Sequence, residues 1–135
     1  MSAVDLLRKS PVFARFDDQT LERMADRFAE VDVPANQVLI EPRTPGAGLF
    51  LICDGTVVVE TPDLQRELGA GEVVGELSLL EDDGTRRARV TAKTPLHCLA
   101  LARPDFEQLL REVPELEDAV RELARTRLGE PGQSA

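Results

Sequence analysis

Gly69-Ala70-Gly71-Glu72-Val73-Val74-Gly75-Glu76-Leu77-Ser78-Leu79-Leu80 runs through an acidic loop over 81–85 into Arg86-Arg87-Ala88-Arg89-Val90. No other part of the chain has this texture. Glycines at 69, 71 and 75 allow tight turns and a close approach of backbone to a ligand. Residues 76–80 read as a single helical turn after a glycine, a place where free N–H groups face an anion. Arg86, Arg87 and Arg89 then bring cations. A phosphate diester needs convergent N–H donors and a guanidinium fork, and this stretch offers both. Glu76, at the start of the turn, is an acceptor placed for a ribose hydroxyl. On spacing alone, a glycine-rich turn leading into a solvated basic strand fits equally well.

The flanking sequence predicts short strands. Residues 37–41, 49–53, 56–60, 65–68, 88–93 and 96–101 are apolar or alternating runs. They are punctuated by Val33-Pro34-Ala35-Asn36, a loop over 42–48, Asp54-Gly55, Thr61-Pro62-Asp63 and Thr94-Pro95. Asp54-Gly55 between two apolar runs predicts a tight hairpin turn, since glycine supplies the positive φ. Strands this short and evenly spaced imply an antiparallel barrel or sandwich. Val38, Ile40, Leu49, Leu51, Val57, Val59, Val90 and Leu99 are the expected core.

Both ends read helical. Leu6 and Leu7 sit among charges before Pro11 breaks the run. Asp17 or Asp18 caps a helix expected over 19–30, with Leu21, Met24, Ala25 and Phe28 on one face. Pro104 suits the first turn of a helix running to Glu112. Pro114 starts another, with a stripe of Leu116, Ala119, Val120 and Leu123, ended by Gly129. The expected organisation is one domain: a helical segment over 1–30, a β-roll over 31–102 carrying the 75–90 stretch, C-terminal helices over 103–128 and a disordered tail over 129–135.

The chain has 135 residues, 42% hydrophobic and 30% charged, with a formal charge of −9. That size suits one domain with a true core. Its charge sign disfavours direct nucleic-acid binding. No apolar run approaches the length of a membrane span, and the N-terminus is too polar for a signal peptide. Cys53 and Cys98 sit in strand-like runs and read as reduced thiols of a cytoplasmic protein. With one histidine they give no zinc spacing, and His97 reads as structural.

The order Gly75-Glu76-Leu77-Ser78-Leu79-Leu80, then Arg86-Arg87-Ala88-Arg89-Val90-Thr91-Ala92-Lys93-Thr94, resembles the phosphate-binding cassette of cyclic-nucleotide-binding domains. That family includes the catabolite activator proteins, the regulatory subunits of cAMP-dependent kinase and the cyclic-nucleotide-gated channels. The resemblance covers about residues 6–128. Leu49-Phe50-Leu51-Ile52 with Asp54-Gly55-Thr56-Val57 resembles the family's second hairpin, and Phe106-Glu107-Gln108-Leu109-Leu110 the helix after the roll. It implies a mainly β fold: an eight-stranded antiparallel β-roll (a jelly-roll-like double-stranded β-helix) with N-terminal helices and a C-terminal helix pair. By the same resemblance Arg86 pairs with the phosphate oxygens and Glu76 binds the ribose 2′-hydroxyl. Gly75 and Leu77 line the sugar-phosphate, Ser78 offers its N–H, and the N–H of Arg87 or Ala88 adds a donor. Arg121, Arg125 and Thr126 are candidates to meet the base when the C-terminal helix closes. Val74 stands where the family often has an aromatic residue, and Arg87 where it often has Ala, Ser or Thr. Residues 43–45 lack the usual glycine–acid pair.

The expected function is therefore a non-catalytic sensor of a cyclic nucleotide, cAMP by expectation and cGMP as the alternative, with no cofactor or metal. It is either a stand-alone sensor or a domain of a larger protein. Two other readings compete. In one, the cassette binds nothing and the stripe of Leu116, Val120 and Leu123 meets a homodimer or effector helix. In the other, an enzyme, Glu72, Glu81 or Asp82 would have to act as a base, and these read more simply as solvated loop charges.

Overall fold

In the computed structural model the apolar run around residue 50 becomes β3 (Gly48–Asp54), buried on both of its faces. The structure describes residues 2–41, 48–62, 65–75 and 88–128, without the side chains of 124 and 126–128. Two N-terminal helices, α1 (Ala3–Arg8) and α2 (Asp18–Ala25), precede the strands. The remaining strands are β1 (Ala29–Val33), β2 (Val38–Ile40), β4 (Val57–Glu60), β5 (Gln65–Leu68), β6 (Val73–Val74), β7 (Arg89–Ala92) and β8 (Leu96–Ala102). Helices α3 (Arg103–Glu112) and α4 (Glu115–Leu128) follow.

The strands form two four-stranded antiparallel sheets, β1-β8-β3-β6 and β2-β7-β4-β5. Four of the six pairings follow one rule: β1 with β8, β2 with β7, β3 with β6, β4 with β5. This is one long antiparallel ribbon, tipped by the β4–β5 hairpin and wound on itself so that β8 also pairs β3 and β7 also pairs β4. The expected eight-stranded roll with flanking helices is thus the observed fold.

The run 49–53 is continuously apolar because the first sheet lies between two cores. Leu49 and Leu51, with Val73, Leu99 and Leu101, join a layer built by all four helices. Phe50, Ile52, Val74 and Cys98 face the second sheet with Val57, Val59, Leu68 and Val90. Strands of the second sheet are covered on one side only. Val57, Val59, Val90 and Ala92 are buried, while Glu60 and Arg89 are exposed.

Several expectations change. Asp54-Gly55 is no hairpin turn: β3 and β4 lie in different sheets and do not pair. The turn is a corner where the ribbon folds from one sheet to the other. It packs on the second corner, between β7 and β8, through Thr56 N donating to Thr94 Oγ1 (3.0 Å) and Lys93 N donating to Thr56 O (2.9 Å). Local turn chemistry is the same for a hairpin and a corner, so the dipeptide did not distinguish them. Helix α2 ends at Ala25 rather than residue 30, and β1 takes 29–33 by pairing with β8. Phe28 then leaves the helix and meets Phe13 edge-on, with ring centroids 5.7 Å apart. Asp17, not Asp18, is the cap, accepting from Thr20 N at 2.8 Å. Of the expected core, Val38 fails. It is 40% exposed on edge strand β2, and the other seven are buried.

Gly55 has φ +100°, and a Cβ there would lie 2.4 Å from the Pro95 carbonyl oxygen. Gly55→Ala should cost at least about 1–3 kcal/mol in urea unfolding, the range for backbone strain alone. Val38→Thr should stay within about 0.5 kcal/mol of the parent.

The two cysteines are free, and the described side chains place them on opposite sides of the first sheet. Burial pushes the Cys98 thiol up to about 11, with Cys53 and Asp32 adding to the effect. Burial also raises Cys53, against an opposing hydrogen bond from the Leu99 backbone. An acid with a raised native pKa keeps its proton after the unfolded chain has lost it. Its stabilisation is complete below the ordinary thiol value of 9.0 and is lost as pH rises toward 11. Unfolding measured across that window should show falling stability, Cys98 contributing at most about 1.4 kcal/mol per pH unit. Cys98→Ala should make the slope shallower.

Candidate functional site

The ribbon fixes the two ends of the cassette segment in opposite sheets. Strand β6 pairs β3 through Val74–Phe50 and Val73–Leu51, then delivers Gly75. Gly75 is buried with φ +94°, a left-handed conformation that favours glycine. At the far end Ala88 is buried in the roll interior beside Val74 and Val90. From there the chain alternates: Ala88, Val90 and Ala92 point inward, while Arg89 and Thr91 do not. Residues 76–87, and with them Glu76, Leu77, Ser78, Arg86 and Arg87, lie outside the described residues, as does the loop over 42–47.

Arg89, grouped above with the cassette cations, is placed on the outer surface. Its Nε lies 3.0 Å from Glu41 Oε1, and its cross-strand neighbour is Glu60. Strand period two settles this, because Val90 takes the inward position. Glu72 is exposed, and its carbonyl accepts from Ile52 N at 2.9 Å. His97 is held on the sheet surface, Nδ1 2.9 Å from Asp32 Oδ1. Among the described residues no cluster of His, Cys, Asp or Glu could hold a metal ion. No helix among them is long and apolar enough to cross a membrane.

The described part of α4, which carries the proposed lid residues, packs outside the cluster that holds Ala88. Helix α4 packs on the N-terminal layer, with Leu116, Ala119 and Val120 buried and Leu123 beside them. No described residue of α4 belongs to the roll interior. Arg121 is exposed and ion-paired along the helix with Glu117, Nε to Oε2 3.3 Å. Arg125 is exposed, and Thr126 lies in the last turns of the helix. The expected partner-binding stripe is also corrected. Leu116 and Val120 are covered by this chain's own Val12 and Phe13 layer, so they offer no free apolar surface.

One inward-facing residue was missed. Arg66 on β5 is the cross-strand partner of Val59, which is buried in the roll interior, and stands two residues before Leu68 of the same cluster. Paired residues of antiparallel strands share a face, so the side chain of half-buried Arg66 leaves β5 on the inner side. Its parity with Leu68 was the available signal.

Known proteins share this arrangement. Residues 30–113 match the family described as cyclic nucleotide-binding domain. The chain is 34% identical, over 93% of its length, to a cyclic nucleotide-gated potassium channel of Rhizobium etli, and spans 35% of that channel. The crystal structure of the catabolite activator protein of Thermus thermophilus is similar with a TM-score of 0.78 at 30% identity, covering 88% of this chain and 58% of that one. The N-terminal domain of a transcriptional regulator from Streptomyces coelicolor gives 0.71 at 33% identity, covering 92% and 90%. The family match over residues 30–113 and the shared fold agree, and the chain belongs to the cyclic nucleotide-binding domain family.

Proposed function

We propose that this domain is a cytoplasmic, non-catalytic sensor that binds cAMP through residues 75–88 and reports binding through α4. The observation that carries the reading is the pair of buried anchors, Gly75 and Ala88, holding the ends of a segment that carries Glu76 and Arg86. Of the three arginines that follow the acidic loop, Arg89 is outward and paired with Glu41, which takes it out of the candidates. That supports Arg86 as the phosphate partner. Glu76 accepts from the ribose 2′-hydroxyl. Gly75, Leu77, Ser78 and the N–H groups of Arg87 or Ala88 surround the sugar-phosphate. Closure of α4 would bring Arg121, Arg125 or Thr126 to the base, and an effector or a second copy of the chain would read that movement.

Nucleotide choice rests on two arginines. Arg87 has donors only and cannot accept from the 2-amino group of guanine, which favours cAMP by about 1–2 kcal/mol, one unmade neutral hydrogen bond. The inward Arg66 favours the second reading, cGMP. Guanidinium donors match the O6 and N7 acceptors of guanine.

Calorimetric titration with both nucleotides tests the function. Arg86→Ala should lose roughly 30-fold to several thousandfold in affinity, the consequence of leaving a phosphate without its cation, while thermal unfolding stays close to the parent. Glu76→Gln should lose less, since an amide oxygen still accepts one hydrogen bond. An unchanged Arg86→Ala affinity would reject the anchor, and no binding by the parent would reject the sensor.

Competition decides the base. Arg87→Thr should move the cAMP/cGMP ratio toward cGMP. If Arg66→Ala lowers cGMP affinity alone, and the parent prefers cGMP, the second reading replaces the first.

A further inference from the structure

Helix α4 has one apolar stripe, and in this structure that stripe is already used. Leu116, Ala119 and Val120 are buried against the layer containing Val12 and Phe13. A groove of about 230 Å³ between Pro11, Val12, Ala119 and Leu123 marks the outer part of this contact. Its rim is closed by an ion pair, Arg15 Nη2 to Glu122 Oε2 at 3.3 Å, which joins residues 107 apart in sequence. Helix α3 is tied separately. Arg27 Nη2 lies 3.0 Å from Glu112 Oε2, at the helix's last residue. Between the two ties comes Val113, whose backbone leaves the helical region (φ −132°, ψ 81°), followed by Pro114. The chain is thus fastened before this joint by one ion pair and after it by another.

We infer that Arg15–Glu122 is a latch that holds α4 on the N-terminal layer and so opposes nucleotide binding. The inference rests on the sensor reading above, in which α4 must serve the roll. Moving α4 off this layer would uncover Leu116, Ala119 and Val120, so docking opposes any movement of the helix toward the roll. Two such positions form a two-state equilibrium, and whatever stabilises one lowers the apparent affinity of a ligand that needs the other. Linkage makes the effect reciprocal: nucleotide must loosen the latch by the factor by which the latch weakens nucleotide. Both side chains are about half exposed, with relative accessibilities of 44% and 58%, so the pair is a trimming device rather than a lock.

The test uses Arg15→Glu, Glu122→Lys and the charge swap Arg15→Glu/Glu122→Arg in the full chain, with two measurements. In titrations with cAMP and cGMP, each single variant should bind about two- to fivefold more tightly than the parent, the range for an exposed ion pair. The swap should return to the parent value, and 0.5 M salt, at a Debye length of about 4 Å, should erase the difference. Hydrogen exchange without nucleotide should be faster in α4 of both single variants and restored in the swap. Affinities that are unchanged or lower, while the parent binds, overturn the latch and leave the sensor reading intact. Absence of binding by the parent overturns the sensor reading. In that case α4 exchange still decides whether the ion pair holds the helix, and unaltered exchange rejects the latch on its own.

Discussion

Strand β3, at the centre of the first sheet, must be dry on both sides, and most of the architecture follows from that. Strand β3 places Leu49 and Leu51 toward the helices and Phe50 and Ile52 toward the second sheet. A single sheet with one wet face would need only alternate apolar residues. Here two covers are required, and the chain supplies them from different places. The second sheet comes from the winding of the ribbon, and the helical layer from both ends of the sequence. The N-terminal helices and α3 and α4 are therefore not appendages. Phe13, Leu21, Phe106 and Leu116 close the outer side of the strands that close the roll on its inner side. Any movement of α4 is paid for in the same contacts that hold β3 and β8.

Winding also places the cassette. The ribbon crosses between sheets at paired corners, where one strand's connection lies on its partner's. Asn36 N donates to Ala92 O at one corner, and Gly71 N donates to Ile52 O at the other. Segment 76–87 bridges the sheets between such regions, its ends held by Gly75 in the first sheet's line and by Ala88 in the second's. The interior around these anchors is lined by Val59, Val74 and Val90. A phosphate entering there would meet few competing dipoles from water, which is where an arginine pair gains most over its value at a surface. The fold thus contributes a low-dielectric floor, to which the proposed function adds the charges of Glu76 and Arg86.

Much of this was legible from residue order. Val57, Val59 and Val90 were expected in the core and are buried, Pro104 opens a helix as expected, and of the three glycines 71 and 75 take the positive φ that tight turns use. The failures share a cause, which is that the deciding partner is remote. Asp54-Gly55 is a fine hairpin turn locally, and only the pairing of β3 with β8 and β6 makes it a corner. Residues 26–30 continue a helical pattern until β8 claims 29–33. Val38 looks like core in a run of Val-Leu-Ile, but β2 is an edge strand with one neighbour. At the candidate site, Gly75 was singled out for its backbone freedom and takes a positive φ, whereas Ala88 was named only for its N–H and its burial was not foreseen. Arg66 was not singled out, since an inward arginine looks like a surface one until its partner Val59 is known.

Among the described residues, strand β1 is an edge of the first sheet, with β8 as its one neighbour. Its exposed positions are Ala29, Glu30 and Asp32, so two of its five side chains are carboxylates directed away from the core. A second molecule trying to extend the sheet there would have to bring its own chain against that negative charge. The −9 charge of the whole chain repels at a distance, and these two residues repel at contact. An open rim can in this way resist edge-to-edge pairing without a closed barrel to hide it.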